Sequence, residues 1–266
     1  MANSRKPPLA GKRIVATRAS EQAGELVREL NARGAEVLLF PMIRFAPPED
    51  WAPLDEALRR LHEFAVVLFL SANAVRYVFQ RSRELGVKFA KQNGRPFVAA
   101  VGPTTARALD EEGSPADYVA RDRTGESLVN ELGPRLREGT VLLPRSDRGT
   151  DGAPLALRET GARVTEVISY RTMPPERVDS IVADKIRRGE VDVVMFASPS
   201  AVQNFVATLG AEDAARIAKT VQFAAIGPTT AQALREAKLP ASIQASESSA
   251  HGLADALERF YAKRQQ

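Results

Sequence analysis

Phe97-Val-Ala-Ala-Val-Gly-Pro-Thr-Thr-Ala-Arg-Ala-Leu109 returns almost residue for residue as Gln222-Phe-Ala-Ala-Ile-Gly-Pro-Thr-Thr-Ala-Gln-Ala-Leu234. Gly102 and Gly227 set an offset of 125 residues. Working outward, Phe69-Leu-Ser-Ala-Asn-Ala-Val75 is answered by Phe196-Ala-Ser-Pro-Ser-Ala-Val202, and Ile14-Val-Ala-Thr-Arg-Ala-Ser20 by Val141-Leu-Leu-Pro-Arg-Ser-Asp147, both at 127. Thr124-Gly-Glu-Ser-Leu128 corresponds more loosely to Ser249-Ala-His-Gly-Leu253. Four blocks in the same order at nearly one offset identify a duplication whose period is a whole domain, not a solenoid unit.

Within each copy, short runs rich in Val and Ile alternate with stretches of helical period. The strand candidates are Arg13–Ala16, Glu36–Phe40, Val66–Leu70, Phe97–Val101, Val141–Leu143, Arg163–Ile168, Asp192–Phe196 and Phe223–Ile226. The helical candidates include Glu21–Ala32, Leu54–His62, Thr105–Glu111, Gly125–Leu136, Ala201–Leu209 and Gly252–Tyr261. Strands alternating with helices predict parallel sheets covered on both faces, in α/β doubly wound domains. Two extended segments interrupt the alternation. Phe40-Pro-Met-Ile-Arg-Phe-Ala-Pro-Pro48 and Val167-Ile-Ser-Tyr-Arg-Thr-Met-Pro-Pro175 each follow the second strand of a copy and end in Pro-Pro. Proline pre-sets extended backbone and resists helix. The repeat alone would divide the chain near residue 138; the connectors instead suggest that the chain crosses twice between domains and leaves one discontinuous.

Composition agrees with two folded domains. The chain has 266 residues, 44% hydrophobic and 26% charged, enough to bury a core in each half. There is no cysteine, so disulfide and thiolate chemistry are excluded and a reducing compartment is compatible. The longest apolar run, Phe64–Leu70, is far short of a membrane span. Met1–Arg13 carries charges without an apolar core, so no secretory signal is expected. The net charge of +4 favours anionic ligands weakly, and without a basic cluster it is no nucleic-acid footprint.

In open parallel sheets, ligands bind beyond the carboxyl ends of the strands. Those ends read Thr17-Arg18, Ser71-Ala72-Asn73, Gly102-Pro-Thr-Thr105, Pro144-Arg-Ser146, Ser198-Pro-Ser200 and Gly227-Pro-Thr-Thr230. Each joins small hydroxyl residues to a coming helix. Serine and threonine cap helices, and the free N–H groups there attract anions. Taken singly, each loop is explained by capping; six on one edge of two domains favour an anion-binding cleft. Arg18 and Arg145, duplicated at strand ends, are placed to meet a carboxylate bidentately. Tyr170, in a connector, serves either packing between domains or chemistry in the cleft. His62 and His251 are the only histidines and have no ligand spacing around them, so no metal site and no Ser-His-Asp triad are expected.

These residues resemble the uroporphyrinogen-III synthase family. Phe223–Leu234, Phe196–Val202, Val167-Ile-Ser-Tyr-Arg-Thr172 and Ile14–Arg18 carry the resemblance, which runs from Gly11 to about Tyr261. It implies two flavodoxin-like domains joined by a two-stranded connector, with Met1–Phe40 and Thr172–Gln266 in one and Pro41–Arg171 in the other. It also implies a lyase of porphyrin and heme biosynthesis, a cytoplasmic monomer without cofactor, membrane or nucleic-acid partner. The implied substrate is hydroxymethylbilane, a linear tetrapyrrole with eight carboxylates. Loss of its hydroxyl gives an azafulvenium-type cation, and a spiro intermediate then recloses with ring D inverted and water released. The resemblance points to Tyr170 as proton donor, with Gly227, Thr229, Thr230, Ser198 and Ser200 at the cleft. It carries over less directly to Thr104, Thr105, Ser71, Asn73, Arg18, Arg145 and Ser249. It further implies that the Gly-Pro-Thr-Thr loop of the second copy outweighs that of the first. Gln222 stands where some relatives have lysine, and Ser249-Ala-His-Gly252 where many have Thr-Xaa-Xaa-Gly. The rival expectation is a non-catalytic two-domain sensor of an anionic metabolite or tetrapyrrole.

Overall fold

The computed structural model describes residues 7–89 and 96–264, so the first six residues of the N-terminal segment lie outside the described ones. In chain order the elements are β1 (Arg13–Ala16), α1 (Gly24–Ala32), β2 (Glu36–Leu39), β3 (Arg44–Ala46), α2 (Ala52–Arg59), β4 (Val66–Phe69), α3 (Ala72–Leu85), β5 (Phe97–Ala100), α4 (Pro103–Glu111), β6 (Tyr118–Val119), α5 (Gly125–Leu132), β7 (Thr140–Ser146), α6 (Gly152–Glu159), β8 (Arg163–Met173), α7 (Ser180–Arg187), β9 (Val193–Phe196), α8 (Pro199–Leu209), α9 (Ala211–Ile217), β10 (Gln222–Ala225), α10 (Pro228–Glu236), β11 (Ile243–Gln244) and α11 (Ala250–Ala262). They form two compact units, a split one of Met1–Arg44 with Met173–Gln266 and a continuous one of Phe45–Thr172.

The split unit has a parallel sheet in the order β11-β10-β9-β1-β2. The order reverses between β1 and β9, which makes that pair the topological switch point. Its central strand β9 reads Val-Val-Met-Phe and is buried throughout, as a strand covered on both faces must be. One face packs against α1 and α11 through Leu26, Leu30, Leu253 and Leu257. On the other, Phe205 of α8 sits edge-on to Phe40, Phe196 and Phe223, with centroids 6.5, 5.2 and 5.8 Å away. Such edge-to-face geometry sets the ring edge against the negative face of its neighbour.

The continuous unit has the order β3-β8-β7-β4-β5-β6, with its switch point between β7 and β4. Removing the edge strand β3 leaves the same five-strand order, and the duplication maps β1, β2, β9, β10 and β11 onto β7, β8, β4, β5 and β6. Apart from β3, each sheet therefore takes two strands from one copy and three from the other. The backbone repeats as well. Ser71 and Ser198 begin α3 and α8 at φ −161°, ψ 152° and φ −161°, ψ 157°. Two clusters fill the faces of this sheet, one around Phe69, Val75, Phe79 and Leu109, the other around Leu68, Leu128, Leu143 and Leu157.

Two sequence expectations are corrected. Pro144-Arg145-Ser146 belongs to β7 rather than to a loop beyond it. Past Leu142 the β7 ladder continues on the β8 side alone, where a residue lacking N–H is tolerated. Tyr170 lies within β8, which runs on to Met173, immediately before the two prolines. The periodicity candidates leave out the short strands β3, β6 and β11 and the helices α3, α6, α7, α9 and α10, although the strand-end loops at Ser71 and Gly227 call for the coming helices α3 and α10. No helix among the described residues is long and apolar enough to cross a membrane.

Candidate functional site

In the continuous unit the switch point gathers hydroxyl groups around one phenol. β7 and β8 pair in register until Arg145, opposite Ile168; there a bulge slips the pairing so that Ser146 faces Tyr170. The extra residue, Ser169, is fully buried and donates from Oγ to the Arg145 carbonyl at 3.3 Å. Because side chains alternate with period two, the one-residue slip decides which face Tyr170 occupies. Tyr170 is 7% exposed. Its ring stacks on Tyr77 at 5.7 Å and 14°, and meets Phe45 edge-on at 5.7 Å. Its Oη lies 3.0 Å from Oγ of Ser71, which caps α3 by accepting from the Ala74 N–H at 3.1 Å.

Burial pushes the Tyr170 phenol above its ordinary value; hydrogen bonds from Ser71, Ser146 and Asn73 partly offset this, and the nearby Asp147 charge adds to the rise. The group is protonated at neutral pH, yet three donors stand ready for its anion. The network continues outward: Ser146 Oγ lies 3.0 Å from Asp147 Oδ1 and 3.1 Å from Thr172 Oγ1, and Asp147 Oδ1 accepts from the Thr172 N–H at 2.8 Å.

Sequence-expected residues divide by what they touch. Asn73 joins Ser71 and Tyr170. Thr104 and Thr229 are exposed in the first turns of α4 and α10, whereas Thr105 and Thr230 are 4% and 1% exposed. The buried pair therefore contributes to its helix's seating, and the exposed pair leaves its hydroxyls at the surface. Gly102 and Gly227 have no side chain with which to cap α4 and α10, leaving first-turn N–H groups open. A Cβ on Gly227 would stand 2.6 Å from Ser248 Oγ, so the glycine admits the turn before α11. Ser249 caps that helix through the Gly252 N–H at 3.0 Å, and Ser198 caps α8 through the Ala201 N–H at 3.2 Å, with Ser200 half-buried one turn in.

The two arginines part company. Arg145 is occupied inside its own unit: Nη1 donates to Glu166 at 2.9 Å, and Nη2 to the Gly149 and Thr150 carbonyls at 2.5 and 3.1 Å. Its guanidinium staples the loop after β7, which favours a structural role over the expected meeting with a ligand carboxylate. Arg18 donates to the neutral Gln22 amide oxygen at 3.3 Å and makes no ion pair among the described residues. Burial lowers its pKa, with Glu25 opposing.

A family profile described as uroporphyrinogen-III synthase HemD matches residues 24–255. The chain belongs to the uroporphyrinogen-III synthase family. It is 33% identical to a uroporphyrinogen-III synthase of Synechococcus elongatus over 95% of this chain and 97% of the relative. It is 30% identical to one of Chlorobaculum parvum over 85% and 89%. Among solved structures, a mutant uroporphyrinogen III synthase of Thermus thermophilus shares the fold with a TM-score of 0.63 at 23% identity, covering 96% of this chain and 99% of the other. The Helicobacter pylori structure gives 0.59 at 18% over 96% and 100%. Membership in this family of lyases of tetrapyrrole biosynthesis does not favour the sensor reading. Sequence reasoning missed Tyr77, Phe45, Asp147 and Thr172. At offset 127 the partner of Asp147 is Ser20, and that of Tyr170 is Ile43, so an acid and a phenol mark one copy only.

Proposed function

We propose that this chain cyclises hydroxymethylbilane to uroporphyrinogen III with release of water. The observation that carries the reading is the buried, protonated Tyr170 hydroxyl at the switch point of the continuous unit, in a chain of this family. Tyr170 Oη gives its proton to the departing hydroxyl as the C–O bond breaks, leaving an azafulvenium-type cation. Attack by the substituted carbon of the last pyrrole forms the spiro intermediate. This opens and recloses with ring D inverted, and loss of a ring-carbon proton restores the aromatic pyrrole. The eight carboxylates of the substrate call for many N–H and hydroxyl donors. We assign Thr229, Ser198, Ser200, Ser249, Gly227 and Arg18 to that task in the split unit, and Ser71, Asn73 and Thr104 in the continuous one. Holding the reacting ends together is catalysis by proximity. We place the reaction in a cytoplasmic monomer without cofactor.

The test generates hydroxymethylbilane in situ and separates the oxidised porphyrin isomers. The protein yields isomer III against the spontaneous isomer I. Tyr170→Phe keeps the ring stack and removes the donor, so it folds and loses roughly 10²–10⁴-fold in kcat. A product mixture identical with and without protein sinks the proposal; near-normal turnover by a folded Tyr170→Phe variant removes the phenol from it.

A further inference from the structure

A phenol 7% exposed that surrenders a proton in every turnover must recover it. The hydroxyl beside it in the β7/β8 register, Ser146, is itself buried and lies 3.0 Å from the carboxylate of Asp147. Asp147 is exposed and lines a cavity of about 430 Å³ together with Glu49, Asp50, Glu166 and Arg171. Tyr170, Ser146 and Asp147 thus form a file from a buried phenol to solvent. The copy of this file in the split unit reads Ile43, Ala19 and Ser20 and can carry no proton.

We infer that Ser146 and Asp147 are the path by which Tyr170 is reprotonated between turnovers. The inference rests on Tyr170 being the proton donor. After the Tyr170 O–H proton has left with the departing hydroxyl as water, the Ser146 O–H proton passes to the phenolate. Ser146 takes its replacement from the Asp147 carboxylic acid, which has drawn a proton from solvent in the cavity. The substrate releases one proton to solvent when its last ring regains aromaticity, so the cycle neither gains nor loses protons. In the resting geometry Ser146 donates to Asp147, and the relay runs once the Ser146 hydroxyl turns to the phenolate. Arg148 N–H, 3.2 Å from Ser146 Oγ, keeps that oxygen in place.

The experiment separates the first turnover from those that follow. With enzyme in excess over in-situ hydroxymethylbilane, rapid quenching measures one turnover; with substrate in excess it measures the steady state. Asp147→Asn preserves an acceptor for the Thr172 N–H and removes the acid, and Ser146→Ala removes the middle hydroxyl. Asp147→Asn keeps the first turnover within about twofold of wild type and loses about tenfold or more in steady-state rate, whereas Ser146→Ala, which also removes a donor to the Tyr170 anion, slows the first turnover and loses a further tenfold or more in later ones. Added formate restores Asp147→Asn and does not restore Ser146→Ala. A merely structural role for either residue slows the first turnover as much as later ones, and that outcome overturns the proposal. So does a wild-type steady-state rate in both variants. Tyr170→Phe slows both phases together; full turnover by it refutes the underlying donor role and the path with it.

Discussion

Arg18 and Arg145 occupy matching positions in the duplication; among the described residues Arg18 makes no ion pair, whereas Arg145 is held by Glu166. Desolvation of the half-buried Arg18 outweighs the support of the Glu25 charge, and an arriving carboxylate relieves it. Arg145 instead has carbonyls and Glu166 around it and holds the loop that presents Ser146 and Asp147. Arg18→Gln should therefore raise KM about 10–100-fold, the equivalent of a charged hydrogen bond of roughly 1.5–3 kcal/mol, while leaving Tm unchanged or higher. Arg145→Gln should lower Tm. Substrate titrations and thermal melts on both variants check this, and equal KM changes would remove Arg18 from binding. Spacing reveals both arginines, but what neutralises a side chain depends on a neighbouring strand, in this case Glu166 on β8, and no local pattern reports that. Tyr170 is visible in sequence for the same limited reason: its rarity and place stand out, whereas the bulge that turns it toward Ser71 arises only once β7 and β8 pair.

At the level of elements, helix starts are the most readable feature. Ser71, Ser198 and Ser249 each precede a helix and each caps it, because the chemistry of a cap is local. Helices without a clear apolar stripe in sequence, such as α6, are not legible, since their burial is set by the sheet beneath. Two predictions belong at this scale. A Cβ on Gly252 would collide with the Glu247 carbonyl oxygen, a backbone atom with no freedom to yield. Gly252→Ala should cost about 1–3 kcal/mol, read as a lower urea midpoint, and should loosen the Ser248 contact over Gly227. The second concerns α2 and α3. Asp55 is 8% exposed and receives Arg81 Nε and Nη2, both at 2.7 Å, while Arg81 lies over the Trp51 ring. The hydrogen bond and charge of Arg81 hold the Asp55 carboxyl below its usual range against the opposing effect of burial. A carboxyl depressed in the folded state stabilises fully above the ordinary carboxylate pKa near 4, and that contribution fades as pH falls through the lower folded value. Asp55→Asn should lower stability by about 2–3 kcal/mol at neutral pH, and the deficit should shrink in acid. Denaturation at pH 7 and pH 3 decides the matter: an equal deficit at both would mean that the charge of Asp55 does not stabilise the fold.

For the molecule as a whole, the duplication is plain in the sequence, but where its copies divide is not where the units divide. Each sheet mixes strands of both copies, so a cut near residue 138 would leave β1 and β2 without β9. The segment Phe45–Thr172 holds all but the last residue of β8 and nearly all of a six-stranded sheet, with a hydrophobic cluster on each face. Expressed alone it should fold and melt cooperatively by circular dichroism, whereas residues 1–138 alone should not; the opposite result would make the sequence copies, not the compact units, the bodies that fold. That segment enters through β3 and leaves through β8, and those two strands are hydrogen-bonded neighbours. Neighbouring strands lie about 5 Å apart, so a few residues of linker would close the segment's two ends on each other. The continuous unit is therefore a natural candidate for circular permutation: its ends can be sealed at β3 and β8 and reopened in the exposed turn between α3 and Val87, with the phenol, its serine and its acid carried along in one piece.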